Sequence, residues 1–183
     1  MTSDRVRRMR GWSCLAAAAL VSGCAASPPA GGEREYLDAK TAATVTVGAP
    51  VLVFARERTE LAVHARDYLT LVPVDVNRAG AHAQYFFGYA WSTLDNRALS
   101  DRPASPPRFE LIADGRRIPL VQHQGSLSEL GLGELPVPPP ARSATLLVAP
   151  ASREQQQFVA NAADVRAVLV REGGSERFDL WRR

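Results

Sequence analysis

The sequence has little cysteine, little lysine, few histidines and no long apolar run. Cys14 and Cys24 are the two cysteines in 183 residues, and Lys40 is the single lysine among 22 basic residues. So little cysteine excludes a disulfide-dense mini-scaffold. No stretch reaches 18 consecutive apolar residues, which excludes a conventional membrane-spanning helix. The histidines, His64, His82 and His123, lie 18 and 41 residues apart, and no pair has the i, i+4 spacing of a helical zinc site. There is no Gly-x-Ser-x-Gly, no His-Glu-x-x-His and no P-loop. Gly131-Leu-Gly133 runs on into Glu-Leu-Pro and lacks the third glycine of a dinucleotide fingerprint. What is present is ordinary for a globular protein. At 46% apolar and 22% charged residues, the chain is neither disordered nor collagen-like.

The first residues read as an address. Met1 to Arg10 carries Arg5, Arg7, Arg8 and Arg10, and a short apolar stretch follows from Trp12 to Val21, with Ala16 to Ala19 in a row. Ten such residues span only ~15 Å as a helix, about half a bilayer core, so residues 1–23 are expected to be a cleaved signal. The stretch ends Leu20-Val21-Ser22-Gly23-Cys24. That motif resembles the lipobox of bacterial lipoproteins. The resemblance implies that the Cys24 sulfur receives diacylglycerol, that cleavage occurs before Cys24, and that the new amino group is acylated. Several acyl chains together hold a membrane firmly. Ala25, rather than aspartate, follows the cysteine, which favours the outer membrane facing the periplasm and leaves the inner membrane and the cell surface open. With Cys14 removed and Cys24 lipidated, the folded part has no thiol for a disulfide, a metal site or a nucleophile.

Charge follows the same division. Residues 1–23 hold four arginines and one aspartate, 4 − 1 = +3, which is the whole formal charge of the chain. The remainder balances 18 basic against 18 acidic groups. The basic isoelectric point therefore belongs to the targeting segment, and no nucleic-acid partner is expected. Residues 24–35 (CAASPPAGGERE) read as a flexible tether, and residues 36–183 as one domain.

That domain reads as mainly β. Residues 41–47, 51–54, 67–77, 82–93, 142–148, 165–171 and 177–181 are β-branched, alternating or apolar strand candidates. Residues 109–121 form a hairpin around Asp114-Gly115, giving about nine strands in all. Pro73 predicts an edge or a bulge. One short helix is expected near 152–162, because Ser152 and Gln155 have capping-box spacing and Phe158, Val159 and Ala162 can face inward. A second helical turn is expected in Arg58 to His64, and the Pro136–Pro140 and Pro103–Pro107 stretches are expected as extended surface loops. The expected architecture is an antiparallel β-sandwich of immunoglobulin-like type. The stretches from Tyr36 to Thr46 and from Val51 to Arg56 look like the opening of uncharacterised proteobacterial lipoproteins. No activity and no site residue follow from that resemblance.

Chemistry-bearing candidates are few. Tyr85, Phe87, Tyr89 and Trp91 alternate along one strand and share a face, which is either core or a stacking surface for a ligand. Glu57, Glu60, Asp67, Asp75 and Asp95 are candidates only as carboxylates, and Glu60 and His64 share a face only if helical. Arg116-Arg117 and Arg182-Arg183 read as solvated surface. No cofactor and no metal are expected. The leading expectation is a non-enzymatic, lipid-anchored module with an envelope protein as partner. A small-ligand or glycan binder using the aromatic strand and a cryptic envelope hydrolase are the alternatives.

Overall fold

The computed structural model describes residues 32–94, 108–171 and 174–183. It is mainly antiparallel β with one short helix, a sandwich-like fold. The strands are β1 (Arg34–Asp38), β2 (Ala43–Val47), β3 (Leu52–Glu57), β4 (Arg66–Arg78) and β5 (Ala81–Ser92). Then follow β6 (Arg108–Ala113), β7 (Arg116–Leu120), β8 (Thr145–Pro150), β9 (Val165–Arg171) and β10 (Gly174–Arg182). Helix α1 (Arg153–Asn161) lies between β8 and β9. The strand beyond the nine expected is β1. It begins inside the segment expected as tether, since Arg34 pairs with Val47 and Glu35 with Thr46.

The backbone of the fold is the β4–β5 hairpin, registered from Asp67↔Ser92 to Arg78↔Ala81. It turns at Ala79 and Gly80, both with positive φ, and the Gly80 N–H is held by the Asn77 side chain. Strands β2 and β3 lie end to end along the other edge of β4, with Val47 opposite Val74 and Leu52 opposite Leu71. Between them the pairing breaks, and Pro73 sits at that break. In an extended strand the N–H and C=O of one residue point to the same edge. The Pro73 carbonyl accepts from Gly48 N–H, so its missing N–H also faces the gap rather than β5. A proline is thereby accommodated in a central strand whose pairing with β5 runs on through it, so neither the edge nor the bulge expected at Pro73 forms.

The sheet separates two cores, with β2 feeding one and β3 the other. Leu69 and Leu71 of β4 face one side, whereas Val72, Val74 and Val76 face the other. The first core lies between the β3–β4–β5–β8 layer and the β10–β9–β6–β7 layer, and contains Phe54, Phe86, Phe109, Leu111, Leu147, Leu169 and Phe178. Helix α1 closes it with Val159 and Ala162, and Phe158 packs at its margin. The helix starts where the capping box predicts: the Ser152 hydroxyl accepts from Gln155 N–H, and the Gln155 side chain accepts from Ser152 N–H. An immunoglobulin-like sandwich keeps its two sheets apart. Here β3 pairs with both β4 and β10 and joins the layers.

The second core lies on the outer face of the first layer. It gathers Ala43, Val45, Val47, Val72, Val74, Val76, Phe87 and Val148. Its roof is the segment 121–144, contributing Leu127, Leu130, Leu132 and Val137. The Pro136–Val137 stretch, expected as surface loop, is part of this roof, with Pro136 buried.

Candidate functional site

Alternation along β5 places Tyr85, Phe87, Tyr89 and Trp91 on the face turned toward the second core, and the register divides that face in three. In the middle, Phe87 and Tyr89 are 1% and 3% exposed. The Tyr89 hydroxyl donates to the Val137 carbonyl at 2.6 Å, tying the roof to the strand. Burial pushes the Tyr89 phenol up from its ordinary value. The four aromatics therefore do not form one open stacking surface. Only the two ends, Tyr85 and Trp91, are partly accessible.

The roof is irregular backbone, so its polar groups need partners outside a strand ladder. Asp38 supplies one of them, to Gly133, while its carboxylate also holds its own turn. It is 3% exposed, and its carboxylate accepts N–H groups from Gly133 at 2.6 Å, Lys40 at 2.9 Å and Thr41 at 3.4 Å. These bonds, Gly133 first, hold the Asp38 carboxyl below the usual carboxylate range despite burial. A Cβ at Gly133 would lie 2.4 Å from Lys40 Cβ, so only glycine fits there. Arg34 donates to the Pro136 carbonyl, Gln122 to the Leu146 carbonyl and the His123 N–H to the Val148 carbonyl.

At the Tyr85 end, the β4–β5 turn and the 3-10 turn Leu127–Leu130 enclose a groove of about 510 Å³. Val76, Ala81 and Ala83 form an apolar floor, Tyr85 and Leu130 a wall, and Arg78, His82 and Glu129 the rim. Burial raises the Tyr85 phenol. The Glu129 carboxylate is held low by Ser126, whose N–H and hydroxyl both donate to it. Gly131, in the left-handed region at φ 77°, ends the 3-10 turn. The Gly131-Leu-Gly133 pattern thus serves a cap and a close approach. Beside the groove, His82 Nδ1 lies 3.0 Å from both Asp75 carboxylate oxygens, and Gln84 donates to Asp75. Such a pair fixes an imidazole tautomer.

At the other end, Trp91 stacks on Tyr68 with ring centroids 4.3 Å apart and planes 19° from parallel. The Arg66 guanidinium lies 4.5 Å from the ring of Trp181, which is 56% exposed. Arg66 is also paired with Glu57 at 3.1 Å.

The other candidates are spent on structure. Arg58 bonds Glu60 and Asp67, each at 2.5 Å. The Arg58–His64 stretch is a tight turn and not a helix, with His64 at φ 67°, so the expected Glu60/His64 face does not form. His123 Nε2 lies 3.9 Å from Glu129. Arg117 pairs with Glu110, Arg116 lies over Phe158, and Arg183 donates to the Ala160 and Ala162 carbonyls at the C-terminal end of α1. Among the described residues, no three His, Cys, Asp or Glu side chains cluster to hold a metal. Cys24, Asp95 and the Pro103–Pro107 stretch lie outside the described residues.

Tyr68, Trp181, Arg66 and the groove residues Arg78, Glu129 and Leu130 escaped the sequence reading. Tyr68 could have been found from its alternation with Thr70 in the β4 stretch; the others depend on register and on the roof. Comparison with known proteins finds no matching family model, no similar curated protein and no similar solved structure.

Proposed function

We propose that this protein is a lipid-anchored envelope protein that binds rather than catalyses, and that a protein partner docks at the Tyr85 groove. The observation carrying this reading is the groove itself. Its apolar floor and polar rim match the usual anatomy of a protein interface, a desolvated centre within a polar border. The candidate carboxylates support a non-catalytic role, because Glu57, Glu60 and Asp67 are committed to arginines and Asp75 to His82. The anchor is the acylated Cys24 of the lipobox, and Ala25 after it favours the periplasmic face of the outer membrane.

A photo-crosslinking residue at Ala81, in the intact lipidated protein in cells, tests the docking. A discrete adduct with one envelope protein is expected, lost in Arg78→Glu and Tyr85→Ala and absent from the same probe at Arg117. Identical adducts from both probes would sink it. A second reading follows from the volume, which falls within the range of about 300–1,000 Å³ of small-molecule sites. It predicts a low-molecular-mass adduct at Ala81 in place of the protein.

A further inference from the structure

We infer that the face bearing Trp181, Arg182, Val53, Tyr68 and Trp91 seats on the bilayer to which the chain is anchored. This rests on the lipid-anchor reading above, and it names what the Trp91 end of the strand contacts.

The placement follows from register. Strands β1 and β10 lie on the same side of the β2–β3 line, the side away from β4, because β2 and β3 each use their other edge for β4. Arg34, near the start of the described chain, pairs with Val47, which is opposite Val74. Arg182, at the end of β10, pairs with Val53, which is opposite Thr70. Four residues of β4 separate those levels, or ~13 Å along the strand. The chain from Cys24 therefore enters the domain beside Trp181 and Arg182. Ten residues link Cys24 to Arg34 and reach at most ~35 Å, less than the length of many domains, so this edge is kept near the anchored surface.

The chemistry of the face fits a lipid interface. Registered neighbours share a face, so Ala55, Tyr68 and Trp91 form one row, and Arg182, Val53 and Thr70 the next. Trp181, at the irregularity between Leu180 and Arg182, holds its exposed ring over Arg66. Val51, in the gap between β2 and β3, is 40% exposed. Indole and phenol rings favour the headgroup boundary, and arginines keep their stems in apolar surroundings while reaching phosphates. A water-soluble partner has no comparable link to this edge, whereas the acyl chains on Cys24, buried in the bilayer, hold the membrane within the tether's reach.

The test uses the mature acylated protein, in which Trp12 is absent, carrying Trp91→Phe so that Trp181 is the one remaining indole. It is placed in vesicles of phosphatidylethanolamine and phosphatidylglycerol with brominated acyl chains. Acylation of Cys24 is read by mass spectrometry and binding by flotation. We expect Trp181 fluorescence to fall about twofold or more against unbrominated vesicles, and Arg182→Glu to reduce that quenching. Acylated, floating protein with an unquenched Trp181 overturns the seating and leaves the anchor intact. Protection of Trp181 by an added envelope protein, with no bromolipid quenching, overturns it in favour of a protein contact. A Cys24 that is not acylated overturns the anchor reading, and the seating with it.

Discussion

The two cores of this domain share strands β4, β5 and β8 but are roofed by different material. Over the first core lie β6, β7, β9 and β10, whose backbone groups are satisfied by their own ladder. Over the second lies the irregular segment 121–144, whose contacts include single side-chain bonds from Asp38, Arg34, Gln122 and Tyr89. A ladder loses stability gradually when one bond is removed. A roof held by a few long-range bonds depends on each of them. The second core should therefore open first, and it is the core that holds the aromatic strand face.

The largest effect comes from damaging what both cores share. Gly88 lies between them on β5, and a Cβ there would sit 1.8 Å from the Thr70 carbonyl oxygen and 2.7 Å from Leu71 Cδ2. Neither β4 nor β5 can yield without moving both cores. Gly88→Ala should cost more than about 4 kcal/mol, the range of mutations that strain a packed interior. Urea unfolding should show one early transition for the whole domain. A variant of near-native stability would mean that β4 and β5 are less tightly registered than their pairing indicates.

Removing Asp38 should separate the cores. Asp38→Asn leaves roof N–H groups facing a poorer acceptor, at a cost of about 2–3 kcal/mol for bonds to a charged group. Hydrogen exchange should accelerate in residues 121–144 while β6, β7, β9 and β10 stay protected. Acid gives the sign. The folded Asp38 carboxyl titrates below its unfolded value of ~3.9, because the bonded N–H groups favour the anion. Its contribution is complete above that value and is lost as pH falls through the folded one. The urea-midpoint gap between wild type and Asp38→Asn should thus be full at pH 6 and shrink below about pH 4. A gap that widens in acid would place the stabilising proton on the wrong state.

Much of the first core was legible in the sequence, and little of the second. Alternation marked β4 and β5, Asp114-Gly115 marked its hairpin, and Ser152 with Gln155 marked α1, because local chemistry dictates each of these. Strand β1 was missed because Arg34 and Glu35 have no β-branched or alternating pattern; their pairing comes from β2. Pro136 and Val137 read as surface because prolines usually interrupt packing, and the Tyr89 and Arg34 bonds, with Val137 packed on the second core, fold that stretch inward. Alternation alone separates the two faces of the aromatic strand. Its split into groove, covered middle and open end depends on contacts 48 to 102 residues away, which no local pattern carries.

The smallest effect is expected where a single bond joins roof and strand. Tyr89→Phe keeps the ring in place and deletes one bond, to the Val137 carbonyl. That bond joins the strand face directly to its roof, so its loss should cost about 1 kcal/mol. The effect should be local: faster exchange near Val137, with the first core unchanged. Combined with Asp38→Asn, the two losses test whether the roof moves as one body. Independent attachments would add within about 0.5 kcal/mol. A roof that is already free after the first bond is cut would gain little from cutting the second, and the double variant would then cost clearly less than the sum. The second outcome would make residues 121–144 a single cooperative flap over the aromatic strand.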